Sequence, residues 1–137
     1  AVALAHLVTM HITLHVGYLS ALCGVAIKAG IGAACGITYA MGGDVTDIGR
    51  AVKIMAATLS GMICDGAKPG CALKVSSSAD MATRAAQMAI KQMDVSADDG
   101  IVALTPEATI RNLAELSRSM RAVDRKIIEI MDEKARR

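Results

Sequence analysis

Residues Gly42–Cys64 read GGDVTDIGRAVKIMAATLSGMIC, and this stretch decides the fold class. Two glycines are followed by Asp44, a side chain that accepts from the free N–H groups of a first helical turn. Asp47, three residues on, adds negative charge at the positive helix end. From there apolar residues recur at Ile48, Ala51, Val52, Met55, Leu59 and Met62, which is the period of an α-helix with one face in a core. The spacing predicts a helix over about Val45–Ile63.

Outward in both directions the chain continues to read as helix. Ala29–Met41 is a run of Ala with Gly30, Gly32 and Gly36, small residues that let helices press together, and Gly42-Gly43 closes it. Upstream, Ala1–Ile27 has no Asp, Glu, Lys or Arg. A helix from near Ala3 to about Lys28 is expected there, buried in the middle of a bundle. Its length also fits a membrane span, but His6, His11, His15, Thr9, Thr13 and Ser20 sit badly in hydrocarbon. Downstream, a helix over about Cys71–Met93, bent near Ser76-Ser77-Ser78, precedes a polar connection over Asp94–Leu104. Thr105-Pro106-Glu107 is a helix start, and one helix is expected to near Glu133, with Ile110, Leu113, Leu116, Met120, Val123, Ile127, Ile130 and Met131 as its apolar stripe. The expectation is an all-α, compact bundle of about five helices in a single domain over residues 1–137, with a central apolar helix and a Cys-bearing loop.

Composition agrees. Of the 137 residues 53% are hydrophobic, yet aromatics are 1%, with no Phe and no Trp, so Ala, Val, Ile, Leu and nine Met must fill the core. A net charge of +2, with no basic stripe, argues against a nucleic-acid partner. No charged segment precedes an apolar one as in a secretory signal, so the four Cys are expected as reduced thiols or metal ligands. The chain opens at Ala1 and is expected to be part of a longer protein.

Between the helices, Cys64-Asp65-Gly66-Ala67-Lys68-Pro69-Gly70-Cys71 is a loop, with two Gly and a Pro. Its two thiols can converge on one metal centre, and Lys68 and Lys74 favour the thiolates that bind metal. Spacing alone leaves ordinary loop cysteines as the alternative, because six residues between ligands is not a zinc-finger spacing. Cys23 and Cys35 lie in helical stretches, and periodicity does not choose between them as a third ligand. His11 and His15 share a helix face. No acidic ligand is near them in sequence, so buried or interface histidines are expected rather than a two-His site. Gly30-x-Gly32-x-x-x-Gly36 lacks the spacing and the preceding strand of a dinucleotide loop. Asp98-Asp99-Gly100 lacks the other ligands of a calcium loop.

The run from Gly61 through Cys64-Asp65-Gly66-Ala67-Lys68-Pro69-Gly70-Cys71 to Lys74 resembles the signature of the L-cysteine desulfidase family, which is related to the alpha chain of the iron–sulfur L-serine dehydratases. Leu19-Ser20-Ala21-Leu22-Cys23-Gly24, Gly42-Gly43-Asp44, Asp99-Gly100-Ile101-Val102 and Thr109-Ile110-Arg111-Asn112-Leu113 agree in order, so the resemblance covers nearly the whole chain. In that family three cysteines hold a 4Fe–4S cluster. The resemblance implies Cys64 and Cys71 as loop ligands and Cys23 as the upstream one, with Cys35 the fallback. It implies elimination on L-cysteine or L-serine to pyruvate and ammonia, without pyridoxal phosphate, in the cytoplasm and away from membranes. Asp65, Lys68 and Lys74 are motif residues, with roles in supporting the ligands, binding substrate carboxylate or shaping the loop left open. Family members are much longer and this chain matches only their C-terminal part. Other substrate contacts and an acid/base group are expected from the upstream portion, and this chain is expected to be inactive alone. Surface left bare by that portion points to a homo-oligomer. The competing class is a non-catalytic helical assembly domain, which leaves the cysteine motif without a reason.

Overall fold

The computed structural model describes residues Ala1–Arg137, and it is all helix. Helix α1 spans Val2–Val16. A π-helical turn over Gly24–Ala29 runs straight into α2, Gly30–Ala40. Then come α3, Val45–Leu59; α4, Pro69–Ile90; α5, Pro106–Ser119; and α6, Arg121–Ala135. No helix is long and apolar enough to cross a membrane.

The central apolar helix is α2, not the first segment. It packs against α1, α3 and α4 at once, while α5 closes over α1 and α3. Its glycines make this possible. A Cβ on Gly32 would stand 2.4 Å from the Ala5 carbonyl oxygen and 2.1 Å from Thr9 Oγ1; one on Gly30 would stand 2.1 Å from Ser78 Oγ. The α2–α1 and α2–α4 crossings are therefore closer than any side chain at those positions allows. On α4, Ala82, Ala85, Ala86 and Ala89 form a fully buried stripe of the same kind. Ile12, Leu22, Ile27, Ile31, Ile54, Met55 and Leu113 supply the bulk of the core, each burial worth roughly 1.5–3 kcal/mol. Of the methionines expected there, Met55 alone is fully buried, and Met10, Met41, Met93 and Met131 are exposed.

The caps at Asp44 and Thr105 form as their sequences predict. Asp44 accepts from Thr46 N and Asp47 N at 2.8 and 2.9 Å, and the Asp47 side chain returns the bond to Asp44 N. Thr105 Oγ1 accepts from Ala108 N at 3.2 Å.

Four expectations about the elements are corrected. The first helix does not reach Lys28. It stops at Gly17, whose φ of 98° only glycine takes readily, so α1 is a short peripheral helix with just Ile12 and Val16 buried. Helix α3 ends at Leu59 rather than Ile63, because the following backbone pairs with residues 21–23 instead. Cys64 N donates to Ala21 O at 2.7 Å, and Cys23 N to Met62 O at 2.8 Å. Helix α4 runs through Ser76–Ser78 as one helix, with Ser78 Oγ donating across the packing interface to Ala26 O at 2.9 Å. The last helix divides at Met120, where Ser119 Oγ turns back onto Leu116 O at 2.8 Å. Helix α6 consequently leaves the line of α5 and lies beside the Cys64–Cys71 loop.

Candidate cysteine cavity

Three separate stretches bring Cys23, Cys64 and Cys71 to the wall of one cavity of about 600 Å³. Cys23 is buried and stands just before the π turn. The paired backbone at Leu22 and Ile63 sets Cys64 alongside it. Cys71 is the third residue of α4, with its N–H on Lys68 O at 2.7 Å. Cys23 thus precedes the first residue of the π turn, and Cys71 lies in the first turn of α4. Cys35 lies elsewhere, in the middle of α2, and burial pushes its thiol up to about 12.

Lys74 closes the loop between Cys64 and Cys71. Its ammonium donates to Ile63 O at 2.9 Å and to Asp65 Oδ1 at 2.5 Å. That bond, and then the lysine's charge, draws the Asp65 carboxyl below the ordinary carboxylate range; the same bond raises Lys74. Lys68 reaches Asp65 O at 3.4 Å and Met131 Sδ at 3.6 Å, so it too faces its own loop and α6. The opposite wall comes from α6, through Asp124, Ile127, Ile128 and Met131.

Lys28 is the residue that pattern reading missed. It is the one Asp, Glu, Lys or Arg in the first 43 residues, and that isolation was the available signal. It lines the cavity beside Cys23, and its ammonium donates to Gly17 O at 2.7 Å and Tyr18 O at 3.0 Å. Burial lowers its pKa, and the nearby thiols of Cys64 and Cys23 oppose that shift.

The histidines stay apart from this chemistry. His6, His11 and His15 stand on the exposed face of α1, the last two with ring centroids 4.8 Å apart. No three His, Cys, Asp or Glu side chains are close enough to share one metal ion. A multinuclear cluster asks for less closeness, since each thiolate takes a different iron. Three thiols around a cavity of about 600 Å³, with a lysine in the wall, fit such a group.

No solved structure matches the chain. Among similar proteins are a UPF0597 protein of Desulfotalea psychrophila, 42% identical over 132 residues, covering 96% of this chain and 30% of that protein. One from Clostridium tetani is 46% identical over 132 residues, covering 96% and 31%. One from Geobacter sulfurreducens is 45% identical over 136 residues, covering 98% and 32%. The chain spans about a third of the length of these curated relatives. The family model of the serine dehydratase alpha chain matches residues 1–129, and to that family the chain belongs.

Proposed function

We propose that this chain is the cysteine-bearing part of a lyase that carries out α,β-elimination on L-serine or L-cysteine, with Cys23, Cys64 and Cys71 holding a 4Fe–4S cluster. The observation that carries this reading is the convergence of those three thiols on one cavity while Cys35 is sealed in the core. Loss of the Cα proton and of the β-hydroxyl or thiol leaves aminoacrylate, which water converts to pyruvate and ammonia; cysteine yields sulfide besides. A cluster held by three thiolates supplies an iron without a protein ligand, a Lewis acid for the departing group.

The chain's own residues prepare that site. The backbone ahead of the π turn brings Cys23, and the first turn of α4 brings Cys71, to the wall of the cavity. Lys74, bonded to Ile63 O and Asp65, holds the loop that spaces Cys64 from Cys71. Ile127, Ile128 and Met131 give the cavity an apolar wall on the side of α6. Of the two carboxylates in the lining, Asp65 is committed to Lys74, and Asp124 pairs with no cation. The group that takes the Cα proton is assigned to the remainder of the protein, a further domain or a partner chain, so this chain alone is expected to be inactive.

Iron and acid-labile sulfide, measured with the visible spectrum after anaerobic reconstitution of the full-length protein, test the reading. Cys23→Ser, Cys64→Ser and Cys71→Ser are each expected to lose the cluster and the activity, and Cys35→Ser to keep its iron. A variant with full iron content removes that cysteine from the ligand set. An iron-free wild-type protein removes the lyase and leaves a helical assembly domain as the better account.

A further inference from the structure

Lys28 is 6% exposed. A buried ammonium costs several kcal/mol unless its donors are taken, and here two of the three are taken by the carbonyls of Gly17 and Tyr18, eleven and ten residues back. Those carbonyls belong to the stretch that leaves α1 and returns through Cys23 to the π turn. Its end at residues 21–23 is buried and bonded to residues 62–64, but its start is not: Tyr18 is exposed, and Leu19 is 96% exposed. Ser20 Oγ bonds only to Leu22 O, inside the same stretch. The bonds from Lys28 are the only side-chain hydrogen bonds that connect residues 17–23 to anything beyond them. The lysine reaches them by lying across Gly24, where an added Cβ would stand 3.0 Å from its Cε and 3.4 Å from its Nζ. It is also the sole Lys or Arg among the 17 residues of the cysteine cavity.

We infer that Lys28 is a positioning residue of this cavity: it staples Gly17–Tyr18 to the π turn, which steadies the approach to Cys23 on the side that the pairing with residues 62–64 does not hold, and it is the counter-charge for the anionic ligand set. The staple rests on this chain's geometry alone; the counter-charge rests on the cluster reading above. An apolar side chain at this position fills the space but takes neither carbonyl. Arginine keeps the charge and the donors.

The test uses Lys28→Met, Lys28→Arg and Gly24→Ala in the full-length protein. Hydrogen exchange of the peptide spanning residues 17–23 needs no cofactor. It is expected to quicken roughly tenfold or more in Lys28→Met, the effect of losing hydrogen bonds to a charged donor. After anaerobic reconstitution, Lys28→Met is expected to hold less iron than wild type, in a cluster of lower reduction potential. Lys28→Arg is expected to restore both, which recovered packing alone would not do for the potential. Gly24→Ala keeps the amine but crowds its stem, so it is expected to quicken the same exchange even if Lys28→Met fails to fold. Unchanged exchange at 17–23 in a folded Lys28→Met overturns the staple, and an unchanged potential overturns the counter-charge. Faster exchange in a protein whose wild type takes up no iron upholds the staple while removing both the counter-charge and the cluster reading.

Discussion

Cys35 shows how environment separates four chemically identical side chains. It is fully buried between α2 and its neighbours, and its thiol is pushed up to about 12 by loss of solvation. In the unfolded chain the same thiol ionises near its ordinary value of about 8.5. The unfolded state therefore releases this proton first, and rising pH favours unfolding. The contribution of Cys35 is intact below the ordinary thiol value and erodes by about 1.4 kcal/mol per pH unit on the way toward 12. Urea unfolding of wild type and Cys35→Ala at pH 8 and pH 10 isolates it: wild type is expected to lose more stability between the two. In the native protein at pH 8, iodoacetamide is expected to label Cys64 and Cys71, both partly exposed, well before Cys35. Labelling of Cys35 at the rate of Cys64 would show that the core around it opens. In the sequence the loop cysteines were legible because Gly and Pro mark their loop. Periodicity did not choose between Cys23 and Cys35, since the sequence reads both as lying in apolar helical stretches; only the family resemblance favoured Cys23, which the fold takes out of helix through the pairing of residues 21–23 with 62–64.

At the scale of elements, the legible parts were those whose signals are local. The Asp44 and Thr105 caps are examples, and so is the small-residue face of α2. The missed boundaries are those decided by distant groups. Leu59 ends α3 because residues 62–64 find partners in another stretch, and the positive-φ turn at Gly17 that ends α1 has its carbonyl held by Lys28, eleven residues on. The close crossing of α1 and α2 gives a direct test. In Gly32→Ala the new methyl meets the Ala5 carbonyl, a backbone atom that no rotamer change moves aside. The helices must separate, which is expected to cost about 1–3 kcal/mol or more, read as a lower urea midpoint with an unchanged slope. Gly61→Ala has open space around its Cβ and is expected to leave the midpoint nearly unchanged.

For the whole molecule, the outstanding feature is the outer face of α1. Its exposed positions between residues 3 and 15 are Ala3, His6, Leu7, Met10, His11, Leu14 and His15, with Leu7 63% and Leu14 76% exposed and no Asp, Glu, Lys or Arg among them. The exposed faces of α4 and α6 do include charges, among them Asp80, Arg84, Arg125 and Glu133. This explains why the first segment read as interior although it lies at the surface: its sequence is apolar on both faces, and only one of them meets this chain's core. Contiguous apolar surface of this kind associates. This chain by itself is expected to self-associate with rising concentration in sedimentation velocity, and Leu7→Glu with Leu14→Glu to shift it to monomer. Neither side chain is in the core, so the thermal midpoint of the double variant is expected to stay where it was. A wild-type chain that remains monomeric at high concentration would show that the three histidines keep the face wet enough. The same pair of substitutions in a full-length family member, about three times as long, separates two origins of the face. Lost stability there means that the remainder of the polypeptide covers α1, whereas unchanged stability with lost oligomers means that a second copy does.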